Sequence, residues 1–242
     1  MQLLRALPLL DVATYSDWVH RPVPGHPVFF ASPWLEGITK VRWWVVPLIW
    51  VPASLAWFFA HRSLPLALAA LCALAGALSW QASEYALHRW VFHARPRGRW
   101  TVQAHFLLHG CHHKFPQDVE RLVFPPLPAA VIAFGVYSAL TVILPKWASD
   151  PFFTGFLLGY VRYDVMHYLM HAGRLGGRLK RAHMRHHYAD ANALFGISGG
   201  CMDWLMGSDA ATAARADGTA AISIAPAGVA ARREKSGARK VA

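Results

Sequence analysis

The sequence is poor in charge and in cysteine. Charged side chains make up 15% of its 242 residues, against 55% for apolar ones, which is too little charge for a typical soluble domain. The three cysteines lie far apart and include no CxxC pair, so neither a disulfide framework nor a zinc knuckle is expected. A secretory signal is not expected either, because the first apolar run is short and leads into a polar, aromatic-rich segment.

Acidic residues are scarce as well. The chain has 13 Asp and Glu against 24 Lys and Arg, for a formal net charge of +11. Such an excess occurs in nucleic-acid-binding proteins and also on the cytoplasmic loops of membrane proteins. The apolar composition favours the membrane, and no nucleic-acid partner is expected.

Four apolar stretches, residues 43–60, 64–80, 127–144 and 152–170, could cross a bilayer. Each is short against the roughly 20 helical residues that a hydrocarbon core requires, so buried helices of a soluble bundle are the alternative. Two tight hairpins with proline at their borders favour the membrane. The sequence therefore predicts an all-α, polytopic membrane protein with about four transmembrane helices.

The loops differ in their positive charge. Residues 89–121 and 174–185 are rich in Arg and Lys, whereas the turns near His61 and Lys146 are nearly bare. The positive-inside rule then puts both termini and both basic segments in the cytoplasm. The Ala and Arg bias favours the bacterial inner membrane over the endoplasmic reticulum. Residues 1–208 are predicted to form the membrane domain, and residues 209–242, which contain no aromatic residue, a disordered low-complexity tail.

Histidine is abundant, and its placement indicates metal chemistry. Ten of the fourteen histidines fall into four clusters. The clusters are HRWVFH with His88 and His93, HGCHH with His109, His112 and His113, HYLMH with His167 and His171, and HMRHH with His183, His186 and His187. So many neutral imidazoles packed without a cation would leave acceptors unpaired. Coordination of metal at an ordered site is therefore the favoured interpretation, and a merely histidine-rich, metal-sensing loop is the alternative.

The spacing within the clusters supports ligation. The second and fourth clusters have the i, i+3, i+4 spacing that places side chains on one helix face. The third cluster is an i, i+4 pair, which lets two imidazoles share one metal. His88 and His93 are five residues apart, about 140° around an α-helix. To act as ligands, the two residues need either a helix that ends near Val91, so that both can reach one metal, or two different metals.

Ten histidines are too many for one ion, since a metal takes four to six ligands. Two metal ions are therefore predicted, and the scarcity of carboxylates in the clusters excludes a ferritin-like site. Nitrogen-rich sites with open positions suit iron and dioxygen, although zinc can occupy them in purified samples. Glu84 and Asp164 are candidates to hold ligand rings from outside. His105 is assigned to packing or to support of a ligand from outside, rather than to ligation, and His20, His26 and His61 are left unassigned.

At these clusters the sequence resembles the fatty acid hydroxylase superfamily, and more narrowly the fatty acid 2-hydroxylases. The resemblance covers about residues 15–208, and the stretch GCHHKFPQDVERLVFPP is its most specific part. It implies four transmembrane helices beneath a cytosolic helical cap, with the ten clustered histidines as ligands of a dimetal centre. Met202 stands where the family usually has Trp.

The resemblance also implies a substrate and partners. The substrate is a long fatty acyl chain, hydroxylated at C2, in a free fatty acid or a sphingolipid. The electron donor is a separate cytochrome b5 or ferredoxin-type protein with its reductase. Lys114, Arg121 and Tyr188 are candidates to meet the lipid headgroup. The alternatives are a related oxidase acting on a sterol, carotenoid or hopanoid, and a non-enzymatic membrane metal-binding protein.

Overall fold

The computed structural model describes residue 7 and residues 10–209, and this part of the chain is all helical, without a β-strand. The predicted tail lies outside the described residues, apart from Asp209. The α-helices are α1 (Val12–Val19), α2 (Pro33–Ile38), α3 (Val45–His61), α4 (Leu66–Ala86), α5 (Arg99–His105), α6 (Cys111–Lys114), α7 (Pro126–Ile143), α8 (Lys146–His171), α9 (Gly177–Tyr188) and α10 (Cys201–Leu205). Two π-helical segments, Leu87–Phe92 and Phe106–Gly110, continue α4 and α5. A short 3₁₀ turn covers Val119–Arg121.

Four long helices, α3, α4, α7 and α8, lie on the four apolar stretches of the sequence. Two helical segments, Leu66–Phe92 and Val119–Ile143, are long and apolar enough to cross a membrane, and α3 is a shorter apolar helix. Both segments are largely unburied, with 17% and 6% of their most apolar windows inside the protein. Apolar surface on this scale needs a nonaqueous environment, so the structure supports association with a membrane.

Helix α8 lies at the centre of the bundle and packs against α4 and α3. Glycines allow the close approach of α4 and α8. A Cβ at Gly155 would lie 1.7 Å from the Ala73 carbonyl oxygen, and one at Gly76 would lie 1.9 Å from that of Phe152. Small residues at a helix interface are typical of packing within membranes, where backbones must meet closely.

One end of the bundle gathers the starts of α3 and α7 and the ends of α4 and α8. There Trp43 stacks on Tyr168 with ring centroids 5.5 Å apart, within a buried cluster that includes Val46, Val123 and Val161. The clustered histidines follow α4 and end α8, so they collect at this end.

The N-terminal segment packs over the same end. Tyr15 and Val19 of α1 are buried with Val102 and Phe106 in a second apolar cluster. The Lys114 ammonium donates to the carbonyl oxygens of Trp18 and Arg21, at 3.0 and 2.7 Å. These contacts fix α1 against the helix that carries the second histidine cluster.

Candidate metal centre

A π-helical turn places the first histidine cluster. The His93 amide donates to the His88 carbonyl oxygen at 3.1 Å, an i to i+5 bond that sets residue 93 above residue 88. The helix ends at Phe92, and both imidazoles face the same neighbours. Both rings join one group because the helix continues as a π-turn to Phe92, one residue past the end expected near Val91, and the structure does not divide the pair between two groups.

The structure brings all ten clustered histidines together in two groups of five. The first histidine group consists of His88, His93, His109, His113 and His186, and the second histidine group consists of His112, His167, His171, His183 and His187. Within each group, one nitrogen from every ring lies within 4.8 Å of the others. Most of these rings are buried, so each group forms an enclosed set of nitrogen donors.

Neighbouring residues belong to different groups. His112 and His113 diverge, as do His186 and His187, so the second and fourth sequence clusters are each divided between the two groups. The groups adjoin each other, with the ring centroids of His113 and His187 only 4.5 Å apart. Their closeness makes a joint dimetal site geometrically feasible.

Two backbone carbonyls fix the tautomers of two histidines in the first group. His88 Nδ1 donates to the Phe195 carbonyl oxygen at 2.6 Å, and His186 Nδ1 donates to that of Ala193 at 2.7 Å. A carbonyl only accepts, so Nδ1 carries the proton and Nε2 presents a lone pair. These Nε2 atoms face the Nε2 atoms of His109 and His93, each at 3.1 Å. A cation between them satisfies such converging lone pairs.

The spacing of the nitrogens also suits a metal. Facing Nε2 atoms lie between 2.8 Å, for His171 and His183, and 3.2 Å, for His183 and His187. Metal–imidazole bonds of about 2.1 Å that meet at right angles place neighbouring nitrogens about 3 Å apart. The residues present therefore fit a metal ion in each group.

Electrostatics keep these rings neutral. Burial, followed by the charge of neighbouring imidazoles, lowers the pKa of His109, His112 and His113 well below the usual range. Burial likewise lowers the pKa of His186 to about 4. A neutral imidazole is the form that ligates a metal.

The four remaining histidines stay outside both groups. His105 contacts the Tyr15 hydroxyl through Nδ1 at 2.7 Å, in agreement with its assignment to packing. His20 lies beside the first group, with its ring centroid 5.3 Å from that of His113, and spacing could not have predicted this position. His26 pairs with Asp118, and His61 stacks on Trp57.

The two carboxylates expected to hold ligand rings do not contact them. Glu84 accepts from the Ile197 and Ser198 amides at 2.6 and 2.8 Å, and Asp164 accepts from the Phe124 amide at 3.1 Å. The prediction of direct carboxylate–imidazole contacts is therefore wrong. Both carboxylates satisfy backbone N–H groups of loops that border the centre.

Comparison with known proteins decides the family. Residues 73–208 match the model of the fatty acid hydroxylase family. The chain belongs to the fatty acid hydroxylase family. It is 35% identical over 202 residues to a dihydroceramide fatty acyl 2-hydroxylase of Arabidopsis thaliana, covering 80% of this chain and 85% of that protein. It is 36% identical over 211 residues to the fatty acid 2-hydroxylase of Homo sapiens, covering 76% of this chain and 57% of the human protein.

A solved structure gives the same family. A chain described as full-length scs7p, with only the hydroxylase domain visible, superposes with a TM-score of 0.79 at 33% identity. The match covers 86% of this chain and 81% of that one. The predicted resemblance is confirmed, and so is the predicted enzyme class, a fatty acid hydroxylase.

Within this hydroxylase, two of the three residues expected to meet a lipid headgroup have other partners. Lys114 is buried against the carbonyls of α1, and Arg121 pairs with Glu36 and with Asp118. Tyr188 is 55% exposed. It lines a polar cavity of about 390 Å³, together with His187, Ser16, Asp17, His20, Arg21 and residues 189–192. Tyr188 therefore remains the available candidate.

Proposed function

We propose that this hydroxylase inserts oxygen at C2 of a long acyl chain in a sphingolipid-type lipid or a free fatty acid, using two metal ions held by the ten clustered histidines. The observation that carries the proposal is the pair of adjoining five-histidine groups, in a chain of the fatty acid hydroxylase family. The names of its relatives support C2 and a ceramide-type substrate.

The ligand sets contain only imidazole nitrogens. His88, His93, His109, His113 and His186 would hold one metal, and His112, His167, His171, His183 and His187 the other. Iron suits five nitrogen ligands with room for an open position, and it would supply the redox chemistry with dioxygen that an inert aliphatic C–H bond demands. Zinc binds imidazole at least as well as iron, so purified protein is expected to carry some zinc.

The membrane arrangement follows from the position of the centre. We propose that α3, α4, α7 and α8 cross the membrane and that α1, α5, α6 and α9 form a cytosolic cap over the histidines. The support is that all ten rings lie at one end of the bundle, beside the basic segments of the sequence. A lipid whose tail stays in the bilayer would then present its first carbons to the centre.

The polar cavity beside His187 supports this substrate orientation. Its side chains can hydrogen-bond to a headgroup and thereby hold the carbonyl end of the lipid in place. The apolar helices α4 and α7 offer exposed aliphatic surface to the tail. Selectivity for C2 would come from holding the lipid headgroup in the polar cavity and the lipid tail along the apolar helices.

The reaction also requires an external electron donor. Insertion of one atom of dioxygen into a C–H bond, with reduction of the other atom to water, consumes two electrons from outside the substrate. We propose a separate cytochrome b5 or ferredoxin-type protein with its reductase. Purified protein given substrate and dioxygen alone should not turn over repeatedly, and sustained turnover would contradict this part of the proposal.

We propose residues 1–208 as the hydroxylase domain, whereas the predicted tail lies outside the described residues apart from Asp209. We also keep the bacterial inner membrane as the location, on the grounds of composition. The relatives named above are eukaryotic and favour the endoplasmic reticulum. Fractionation of the native host decides the location, since recovery in another membrane overturns it.

Isotope labelling tests the position of hydroxylation. Cells that express the protein are fed acyl chains deuterated at C2, and the lipids are compared by mass spectrometry with those of cells without the gene. The product should lose one C2 deuterium and gain one oxygen. Retention of both deuteriums in an oxygenated product would overturn the C2 assignment and favour a different lipid position or substrate.

A further inference from the structure

A short loop holds the first histidine group from outside. We call residues Ala193–Ser198 the carbonyl clamp, because its carbonyl oxygens at residues 193 and 195 accept from His186 and His88. The Phe195 ring also packs against the His88, His93 and His186 rings, with centroids 5.4–5.6 Å away. The clamp thus contacts three of the five members of one group.

The backbone of the clamp has an unusual conformation between its two carbonyls. Leu194 has φ of 62°, in the left-handed region that side chains other than Gly, Asn and Asp rarely adopt. Such a conformation persists only when surrounding contacts impose it, and it is often found at functional sites. The turn lets both carbonyl oxygens reach Nδ1 atoms of the same histidine group.

Two buried carboxylates hold the backbone amides that follow Leu194, while the Leu194 amide itself donates to the Ser208 carbonyl oxygen at 2.9 Å. Asp203 accepts from the Phe195 amide through Oδ1 and from the Gly196 amide through Oδ2, both at 2.8 Å. Glu84 accepts from the Ile197 and Ser198 amides and from the Ser198 hydroxyl. Four consecutive amides of the clamp are therefore held by two side chains that touch no histidine ring.

The second histidine group does not use the clamp. The Leu122 backbone lies near His167 and the Pro116 backbone near His171, and both residues lie in the loop that follows α6. In that loop Asp164 holds the Phe124 amide. The loop that follows α6 therefore borders the second group, as the clamp borders the first.

We propose that Asp203 and Glu84 are positioning residues for the first histidine group alone: they hold the carbonyl clamp, and the clamp fixes His88 and His186 with Nε2 free to bind a metal. This inference rests on the proposed dimetal function. Ligand orientation by such outer contacts is worth about 10–100-fold in metal affinity. Loss of one carboxylate should weaken one metal site and leave the other unchanged.

The test is a zinc titration of the metal-free, detergent-solubilised protein, with Zn²⁺ alone as the probe. Asp203→Asn keeps the shape of the side chain but turns an NH₂ group toward a clamp amide. In Asp203→Asn, one of the two zinc sites should need at least tenfold more free Zn²⁺ than in the wild type to become half occupied. The other site should fill at the wild-type concentration. Glu84→Gln should act in the same way.

Asp150→Asn is the matched control. Asp150 is a buried carboxylate that accepts from the Tyr137 hydroxyl, at the end of α8 away from the histidines. This control should bind both equivalents as the wild type does. The metal retained by Asp203→Asn shows that its fold persists.

Double variants identify the affected group. Asp203→Asn combined with His88→Ala should bind one zinc with wild-type affinity, because both changes act on the first group. Asp203→Asn combined with His167→Ala should bind no zinc at the free Zn²⁺ concentration that fills the wild-type sites, because the two changes act on different groups. Equal weakening of both sites by Asp203→Asn, no weakening, or weakening of the second group overturns the inference. A wild-type protein that binds fewer than two metals would instead contradict the proposed function.

Discussion

The two histidine groups are placed by different backbone features. The second group takes His167 with His171 and His183 with His187 from regular α-helices, each pair at i, i+4. The first group takes His88 and His93 from a π-helical turn, and its His88 and His186 are held by the carbonyl clamp. The first group therefore depends on local backbone distortion, whereas the second takes these two pairs from regular helical spacing.

The largest effect is expected from substitution of adjacent histidines that belong to different groups. His186→Ala and His187→Ala should each remove one metal, but from different groups, and each should lower turnover by more than about a hundredfold, because losing a ligand costs more than losing an outer contact. Metal analysis and product assays on membranes provide the measurement. His112→Ala and His113→Ala are the matching pair.

His61→Ala serves as the control for these variants, since His61 lies on α3 and belongs to neither group. It should retain two metals and wild-type turnover. Normal product formation by a group variant would remove that histidine from the proposed ligands.

Acid should destabilise the metal-free protein through two buried imidazoles, His186 of the first group and His105 outside both groups. Burial lowers the pKa of His186 and of His105 to about 4, below the unfolded value of about 6.5. As the pH falls below 6.5 the unfolded chain takes up the proton first, so stability is lost between pH 6.5 and about 4. Each such imidazole should cost about 2 kcal/mol at pH 5.

The measurement is the thermal unfolding temperature of metal-free protein from pH 7.5 to 5. A fall that begins below pH 6.5 is the expected result. An unfolding temperature that stays constant down to pH 5 would contradict the buried, neutral state of these rings.

A change in the shared scaffold should affect both groups alike. Gly155→Ala on α8 forces a Cβ against the Ala73 carbonyl, and overpacking of this kind costs about 1–3 kcal/mol. The unfolding temperature should fall, and both metals should be lost together on heating. Gly135→Ala on α7 is the control, because its Cβ meets nothing within 4 Å. Loss of one metal before the other in Gly155→Ala would show that the groups do not share this scaffold equally.

The smallest effect is expected at the rim of the polar cavity. Tyr188→Phe removes one hydroxyl from an exposed side chain, and a single hydrogen bond contributes about 0.5–1.5 kcal/mol. KM for the lipid should rise by no more than about tenfold, with kcat and both metals unchanged. A fall in kcat at unchanged KM would instead place Tyr188 among the groups that act on the reacting carbons.

The sequence predicted those parts of the site that follow from helical periodicity. The apolar stretches located the four long helices, and the i, i+4 pairs brought His167 and His171 to one group. The i, i+5 spacing of His88 and His93 could not be interpreted uniquely, because nothing in HRWVFH distinguishes a π-helical turn from an α-helix. Tertiary packing, rather than local propensity, determines that turn.

The supporting contacts were not predictable for a similar reason. Glu84 lies one helical turn before His88, which favoured a direct contact, yet the carboxylate reaches a loop more than a hundred residues later in the chain. Lys114 and Arg121 are basic residues beside the histidines, but both are used to fix the N-terminal segment. Long-range pairing of this kind leaves no periodic trace in one sequence.

The metal content of the purified wild-type protein tests the central claim most directly. Elemental analysis against protein concentration, with X-ray absorption to identify the ligand atoms, gives the number of metals and their coordination. Two metals per chain, each surrounded by imidazole nitrogens, is the predicted result. One metal or none at full loading, or a shell of oxygen or sulfur ligands, would contradict the account.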